Sequence, residues 1–141
     1  MRNIIIATHG ELAKGLRFST EFIMGEQKTL HVIPAYTSEC PDFKNKLHEL
    51  IEKYIEEGEV IILTDLFGGS VNTEVMNLLN KYKNVFLIAG ANLSLVIQLL
   101  AANDDTNIRD VIEKGVKEAR KGIIFCNNLI DCDEEAQLDE F

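Results

Sequence analysis

Two short apolar runs in this chain each end on a side chain able to do chemistry. Ile4-Ile5-Ile6-Ala7 leads into Thr8-His9-Gly10, and Val60-Ile61-Ile62-Leu63-Thr64 leads into Asp65. An imidazole whose Nδ1–H is held by a carboxylate has its tautomer fixed, which leaves Nε2 with a free lone pair. Such a nitrogen can attack phosphorus, and the phosphohistidine it forms stays reactive enough to pass the group on. Gly10 leaves room beside the ring for a backbone or a partner. Asp65 is also a residue type that caps helices, and the two roles are compatible because a carboxylate has two oxygens.

Gly68-Gly69-Ser70 follows Asp65 and opens a helix. Amides at such a place can surround an anion at the positive end of a helix dipole. Alone, Gly-Gly-Ser is usually just a turn, and it lacks the lysine of a G-x-x-x-x-G-K-[ST] nucleotide loop. Beside a histidine, Gly68, Gly69 and Ser70 read as a cradle for a phosphoryl group. Gly90-Ala91-Asn92 either walls the same crevice or is a plain turn. His31 and His48 read as structural or surface residues, and Lys14 and Arg17 as solvated helix charges that could border the crevice.

What must bring His9 and Asp65 together is the order of the elements around them. Unbroken, β-branched runs suit strands buried on both faces; they recur at 4–7, 31–33 (ended by Pro34), 60–64, 85–89 and 123–126. Between them lie helical patterns: Leu12 to Gly25, Phe43 to Tyr54, Val71 to Tyr82, Leu93 to Ala102 and Ile108 to Gly122. This alternation means βαβ units and a doubly wound, mainly parallel α/β sheet, with 2-1-3-4 the usual order for the first four strands. In that order strands 1 and 3 are neighbours whose helices leave on opposite faces. His9 and Asp65 then share the crevice at the switch point.

Charge and composition exclude several classes. The net charge of −9 is concentrated at the end: Asp131, Asp133, Glu134, Glu135, Asp139 and Glu140 carry six of those charges, which leaves about −3 for the rest. The chain therefore divides into a domain over 1–130 and an acidic, solvated tail over 131–141. Such a surface argues against nucleic acid, which demands a basic footprint. Cys40, Cys126 and Cys132 have neither disulfide nor zinc spacing and read as reduced thiols. No run approaches the roughly 18 apolar residues of a membrane span. Met1-Arg2-Asn3 leads straight into a strand with no signal-peptide pattern, so a cytoplasmic protein is expected.

Three segments together carry a family resemblance. Ile5-Ile6-Ala7-Thr8-His9-Gly10-Glu11-Leu12-Ala13-Lys14-Gly15-Leu16 resembles the start of the mannose-type EIIA proteins of the bacterial sugar phosphotransferase system. Leu63 to Ser70 resembles that family's second motif and Ile88 to Leu93 its third, in order and at fitting separations over roughly residues 3–126. The resemblance implies that His9 accepts a phosphoryl group on Nε2 from phospho-HPr and donates it to a histidine of an EIIB component. The membrane components EIIC and EIID are then reached only indirectly. It further implies that Asp65 orients the ring, that Ser70 lies by the phosphoryl group, and that no metal or organic cofactor takes part. A fifth, antiparallel strand (order 2-1-3-4-5) and a homodimer are implied as well.

Ser94 stands where the family often has proline, and no EIIB domain follows, so a separate acceptor chain is expected. The nearest alternative is the related phosphoryl-carrying subunit that serves dihydroxyacetone kinase. A response-regulator receiver needs acids after strand 1 and a lysine after the last strand, where Thr8-His9 and Asn127-Asn128 stand. A flavin-binding module of similar topology is a third possibility. The dimer expectation has its own basis in the sequence. The helix from Leu93 to Ala102 is apolar nearly all round, so it is either heavily buried or in an interface, and a last strand at 123–126 leaves an open sheet edge.

Overall fold

The structure, a computed structural model, describes residues 1–131. The acidic tail expected from residue 131 onward, and Cys132 with it, therefore lies outside the described residues apart from the backbone of Asp131. The chain runs β1 (Arg2–His9), α1 (Leu12–Met24), β2 (Leu30–Ala35), α2 (Phe43–Ile55), β3 (Glu59–Thr64), α3 (Ser70–Leu78), β4 (Val85–Ala89), α4 (Leu93–Ala101), α5 (Ile108–Lys121) and α6 (Asn127–Asp131). The sheet order is β2-β1-β3-β4 and every pairing is parallel.

Both faces of the sheet are covered, and alternation along each strand feeds two cores. On β1, Ile5 and Ala7 face α2 and α3 together with Val60, Ile62, Leu47, Ile51, Val71 and Val75. Ile4 and Ile6 face the other way with Ile61, Leu63, Ala13, Leu95, Val96, Leu99 and Val111, under α1, α4 and α5. The helix after β1 and the helix after β3 thus lie on opposite faces. That places the switch point between their strand ends.

Among the described residues the sheet has four strands, not five, and no antiparallel member. Ile123–Phe125 has no ladder partner there; Ile123 and Phe125 are 83% and 69% exposed. The chain then turns into α6, with Asn128 N–H donating to Phe125 O and Leu129 N–H to Cys126 O. β-branched and aromatic residues favour a pleated, half-buried surface, and without a neighbouring ladder that preference forms no strand. β4 is consequently an edge among the described residues.

Pro34 does not end β2 but lies inside it, opposite Thr8. β2 is the other edge strand, where a residue without an N–H is tolerated. α3 stops at Leu78, well short of the expected Tyr82. The nearly all-apolar α4 is largely covered by its own domain: Leu95, Val96 and Leu99 are buried and Leu93, Ile97 and Leu100 half-buried, against α5 and α1. Arg2 is buried; it donates to Glu59 and to the carbonyls of Asn103, Asp104 and Thr106, tying the α4–α5 loop to the start of β1. Among the described residues no helix is long and apolar enough to cross a membrane.

Candidate functional site

The site is built where β1 and β3 end. Register pairs Ala7 with Thr64, the last residue of β3, so Asp65 leaves the sheet beside Thr8 while β1 continues to His9, still paired with Ala35 of β2. Asp65 stays with 10% of its side chain exposed, while the His9 side chain is 42% exposed. The Oδ2 atom of Asp65 accepts two hydrogen bonds from His9, one from the main-chain N–H (2.8 Å) and one from Nδ1 (2.9 Å). Its other oxygen, Oδ1, accepts from the Leu66 N–H at 2.9 Å. An ionised carboxylate only accepts, so the hydrogen of this bond sits on Nδ1, and in the neutral ring the lone pair is on Nε2. Burial pushes the Asp65 carboxyl up, but the three donors together outweigh it and hold the group below its ordinary value. Asp65 caps no helix; Gly69 is the N-cap of α3.

Three small features hold the two strand ends. Thr8 is buried, and its Oγ1 accepts from the Ala13 N–H at 2.8 Å, which fixes the start of α1. Gly10 takes φ +61° and donates its N–H to Ala35 O at 2.9 Å. On the other side, Gly68 takes φ +76°, a conformation that L side chains rarely adopt, and this turns the chain from Asp65 toward α3. Asn72 secures that turn from below: it is 1% exposed, its Oδ1 accepts from the Gly68 N–H (3.0 Å) and its Nδ2 donates to Thr64 Oγ1 (2.9 Å).

Among the loop's donors, the amides of Gly68 and Gly69 are engaged inside the loop, the second with Leu66 O at 3.3 Å. Ser70 is the residue that faces the ring, with Oγ 3.4 Å from Nε2. A Cβ on Gly69 would sit 3.5 Å from His9 Cε1, an ordinary contact. The expected trio is therefore together, with unequal parts. Gly68 shapes the turn, Gly69 leads into the helix, and Ser70 approaches His9 Nε2.

One residue at the site has no counterpart in the sequence reading. Tyr36, just past β2, stacks on His9 with ring centroids 5.5 Å apart, meets Phe43 edge-on at 5.2 Å, and donates its hydroxyl to Ser70 Oγ at 2.7 Å. It is also the one non-glycine residue with positive φ, +62°, among the described residues. Nothing in its composition or spacing flagged it. Asn72 did leave a signal, since it precedes buried Val75 by three positions and so falls on the inner face of α3.

The remaining candidates lie elsewhere. His31 stacks on Tyr54 (4.1 Å), and Nε2 pairs with Asn3 Oδ1 at 3.0 Å; burial lowers its pKa. His48 is half-buried in the middle of α2. Lys14 pairs with Glu39 (2.7 Å) and Glu11 (3.4 Å), and Arg17 with Glu21 (2.7 Å). Gly90-Ala91-Asn92 is a turn and cap: Gly90 and Ala91 donate to Thr64 O, and Asn92 Oδ1 accepts from the Leu95 N–H.

Known proteins resemble this chain in sequence and in fold. The family model described as the PTS system fructose IIA component matches residues 3–116. The fructose-specific EIIA component of the PTS system of Bacillus subtilis (strain 168) is 24% identical over 140 residues, 99% of this chain and 96% of that protein. The mannose-specific EIIAB component of Escherichia coli (strain K12) is 27% identical over 85% of this chain, which corresponds to 38% of that longer protein. A crystal structure from Klebsiella pneumoniae subsp. pneumoniae, described as a candidate phosphoenolpyruvate-dependent sugar phosphotransferase system permease, superposes with a TM-score of 0.84. It is 35% identical and covers 92% of this chain and 93% of that one. The phosphotransferase system component EIIA of Streptococcus agalactiae gives 0.77 at 26% identity, over 91% and 99%. With a strand-end histidine on an aspartate at the switch point and a family model spanning both, the chain belongs to the mannose/fructose family of EIIA components of the sugar phosphotransferase system.

Proposed function

We propose that this protein is a cytoplasmic phosphocarrier that takes a phosphoryl group from phospho-HPr onto Nε2 of His9 and passes it to an EIIB component for sugar uptake. The observation that carries this reading is the bond from His9 Nδ1 to Asp65 Oδ2, which in the neutral ring puts the lone pair on Nε2. The Nε2 lone pair attacks phosphorus as the P–N bond of the donor phosphohistidine breaks, and the donor imidazole leaves with that electron pair. The hydrogen on Nδ1 stays in place, and Asp65 balances the positive charge that develops on the ring. The Ser70 hydroxyl and the N-terminus of α3 provide donors and positive potential where the phosphoryl oxygens arrive. Leu12, Leu66 and Phe67 are exposed apolar residues on the segments that follow the two strand ends, a surface suited to a protein donor and acceptor.

The protein acts as a homodimer in this reading. Support comes from the outer edge of β4, which has no strand partner among the described residues, and from the exposed side chains of Ile123, which lines one groove with Ile88 and Ala89, and Phe125. A groove of about 210 Å³ runs along that side, lined among others by Ile88, Leu95, Val116 and Ile123.

Incubation with phosphoenolpyruvate, enzyme I and HPr tests the carrier role by intact-mass measurement. One phosphoryl group should be gained by the wild type, by His31→Ala and by His48→Ala, and none by His9→Ala. The adduct should be acid-labile and base-stable. Labelling of His9→Ala at wild-type stoichiometry removes the reading.

A further inference from the structure

We propose that Tyr36 is a positioning residue for phosphoryl transfer, acting on His9 through Ser70. This rests on His9 being the phosphoryl carrier and goes beyond it by assigning a fourth side chain, from just past β2, to a site of His9, Asp65 and Ser70. A serine hydroxyl has a single hydrogen and two lone pairs. The Tyr36 hydroxyl donates to Ser70 Oγ at 2.7 Å, so it occupies an acceptor position and turns the serine's own hydrogen away from Tyr36. The polar atom on the free side is His9 Nε2, at 3.4 Å. Tyr36 therefore aims the Ser70 O–H at the atom that is to bear phosphorus. As phosphorus takes up the Nε2 lone pair, the Ser70 O–H gives up that contact and donates to an arriving phosphoryl oxygen instead.

The tyrosine is held in this posture by more than its hydroxyl. Its ring lies against the His9 imidazole (5.5 Å, 29° between planes) and against the edge of Phe43 (5.2 Å, 64°). Its backbone sits at φ +62°, rare for a bulky residue and maintained only where the surroundings over-determine it. Ala35 O, one residue before it, accepts from the Gly10 N–H, so the strand ends that carry Tyr36 and His9 are tied together. A residue 57% exposed, yet held against two rings and bonded to the serine, fits a positioning role better than a packing one.

Tyr36→Phe keeps both ring contacts and removes only the hydroxyl. Transfer from phospho-HPr should slow about 3- to 10-fold, the loss expected of one hydrogen bond, with KM for phospho-HPr unchanged. Tyr36→Phe in a Ser70→Ala background should cost nothing further, because the tyrosine has no serine left to aim. Independent of phosphorylation, the ¹⁵N resonance of His9 Nε2 should move in Tyr36→Phe in the direction it moves in Ser70→Ala. A wild-type transfer rate in Tyr36→Phe, fully multiplying losses in the double variant, or an unmoved Nε2 resonance each overturns the proposal. A wild type that takes no label on His9 overturns the carrier reading instead, and the resonance then decides whether Tyr36 positions Ser70.

Discussion

One carboxylate oxygen of Asp65 receives both the backbone N–H and the ring Nδ1 of His9, at 2.8 and 2.9 Å. The backbone bond locates the histidine's main chain and the ring bond sets its plane, so a single atom fixes position and orientation together. With Oδ1 accepting from the Leu66 N–H, both carboxylate oxygens are engaged.

Asp65→Asn tests that arrangement, because an amide has one acceptor oxygen where three donors converge. If that oxygen serves His9, the NH₂ group faces the Leu66 N–H, donor against donor. The rate of transfer from phospho-HPr should fall by roughly 10- to 1,000-fold, less than the ~10⁴ seen when a protease triad loses its orienting acid, since no proton is shuttled here. Rapid-quench kinetics would give the rate, and ¹⁵N shifts the His9 tautomer. An unchanged rate would reduce Asp65 to a structural tether.

Asn72→Ala removes the partner of the buried Thr64 hydroxyl and the acceptor of the Gly68 N–H. The expected cost is about 1–3 kcal/mol of stability, measurable by urea unfolding. Transfer should slow as well, because the turn that delivers Ser70 loses its brace. Asn72→Asp is informative beside it: the carboxylate still accepts from Gly68 but no longer donates to Thr64. A wild-type unfolding midpoint in Asn72→Ala would show that the loop holds itself.

The pH dependence of stability should have two parts. Burial lowers the pKa of His31, so the unfolded chain binds more protons there, and stability is lost as pH falls below about 6.5. The same sign applies to Asp65, whose pKa is also lowered, but its contribution is lost only below about pH 4. His31→Phe should therefore flatten the fall in Tm between pH 7.5 and 5 while leaving the steeper loss in acid. Scanning calorimetry across that range checks it; identical curves for the variant and the wild type contradict the assignment.

Ile123→Ser with Phe125→Ser should shift the protein toward monomer at micromolar concentration, and truncation after Gly122 should do so more completely. Sedimentation velocity reads both directly. A wild type that sediments as a monomer at all concentrations ends the dimer proposal.

The sequence made the centre of this site legible and its edges much less so. His9 and Asp65 could be found because each follows an unbroken apolar run, and strand order then brings those ends together whatever the loops do. Proline ends most ladders, so Pro34 reads as a stop from the sequence; an outward-facing position on an edge strand is not visible from its neighbours. Ile123–Phe125 has the composition of a strand, but composition does not supply the ladder it would need. The apolar face of α4 could have been an interface or a core, and only the packing of α5 and α1 over it decides for the core. Tyr36 was out of reach altogether, since its importance comes from a positive φ and from rings three elements apart in the chain.

Pro34 has a further effect on how copies of the protein can meet. Its side of β2 faces away from β1, so the N–H that proline lacks is one that a stranger's strand would have sought, and its carbonyl is already occupied by the Thr37 hydroxyl at 2.7 Å. The sheet thus has one blunted margin and, among the described residues, one receptive margin at β4. A molecule with a single receptive margin can pair with one like itself around a two-fold axis and then has nothing left to extend. Growth into a filament requires two such margins, and the proline withdraws the second.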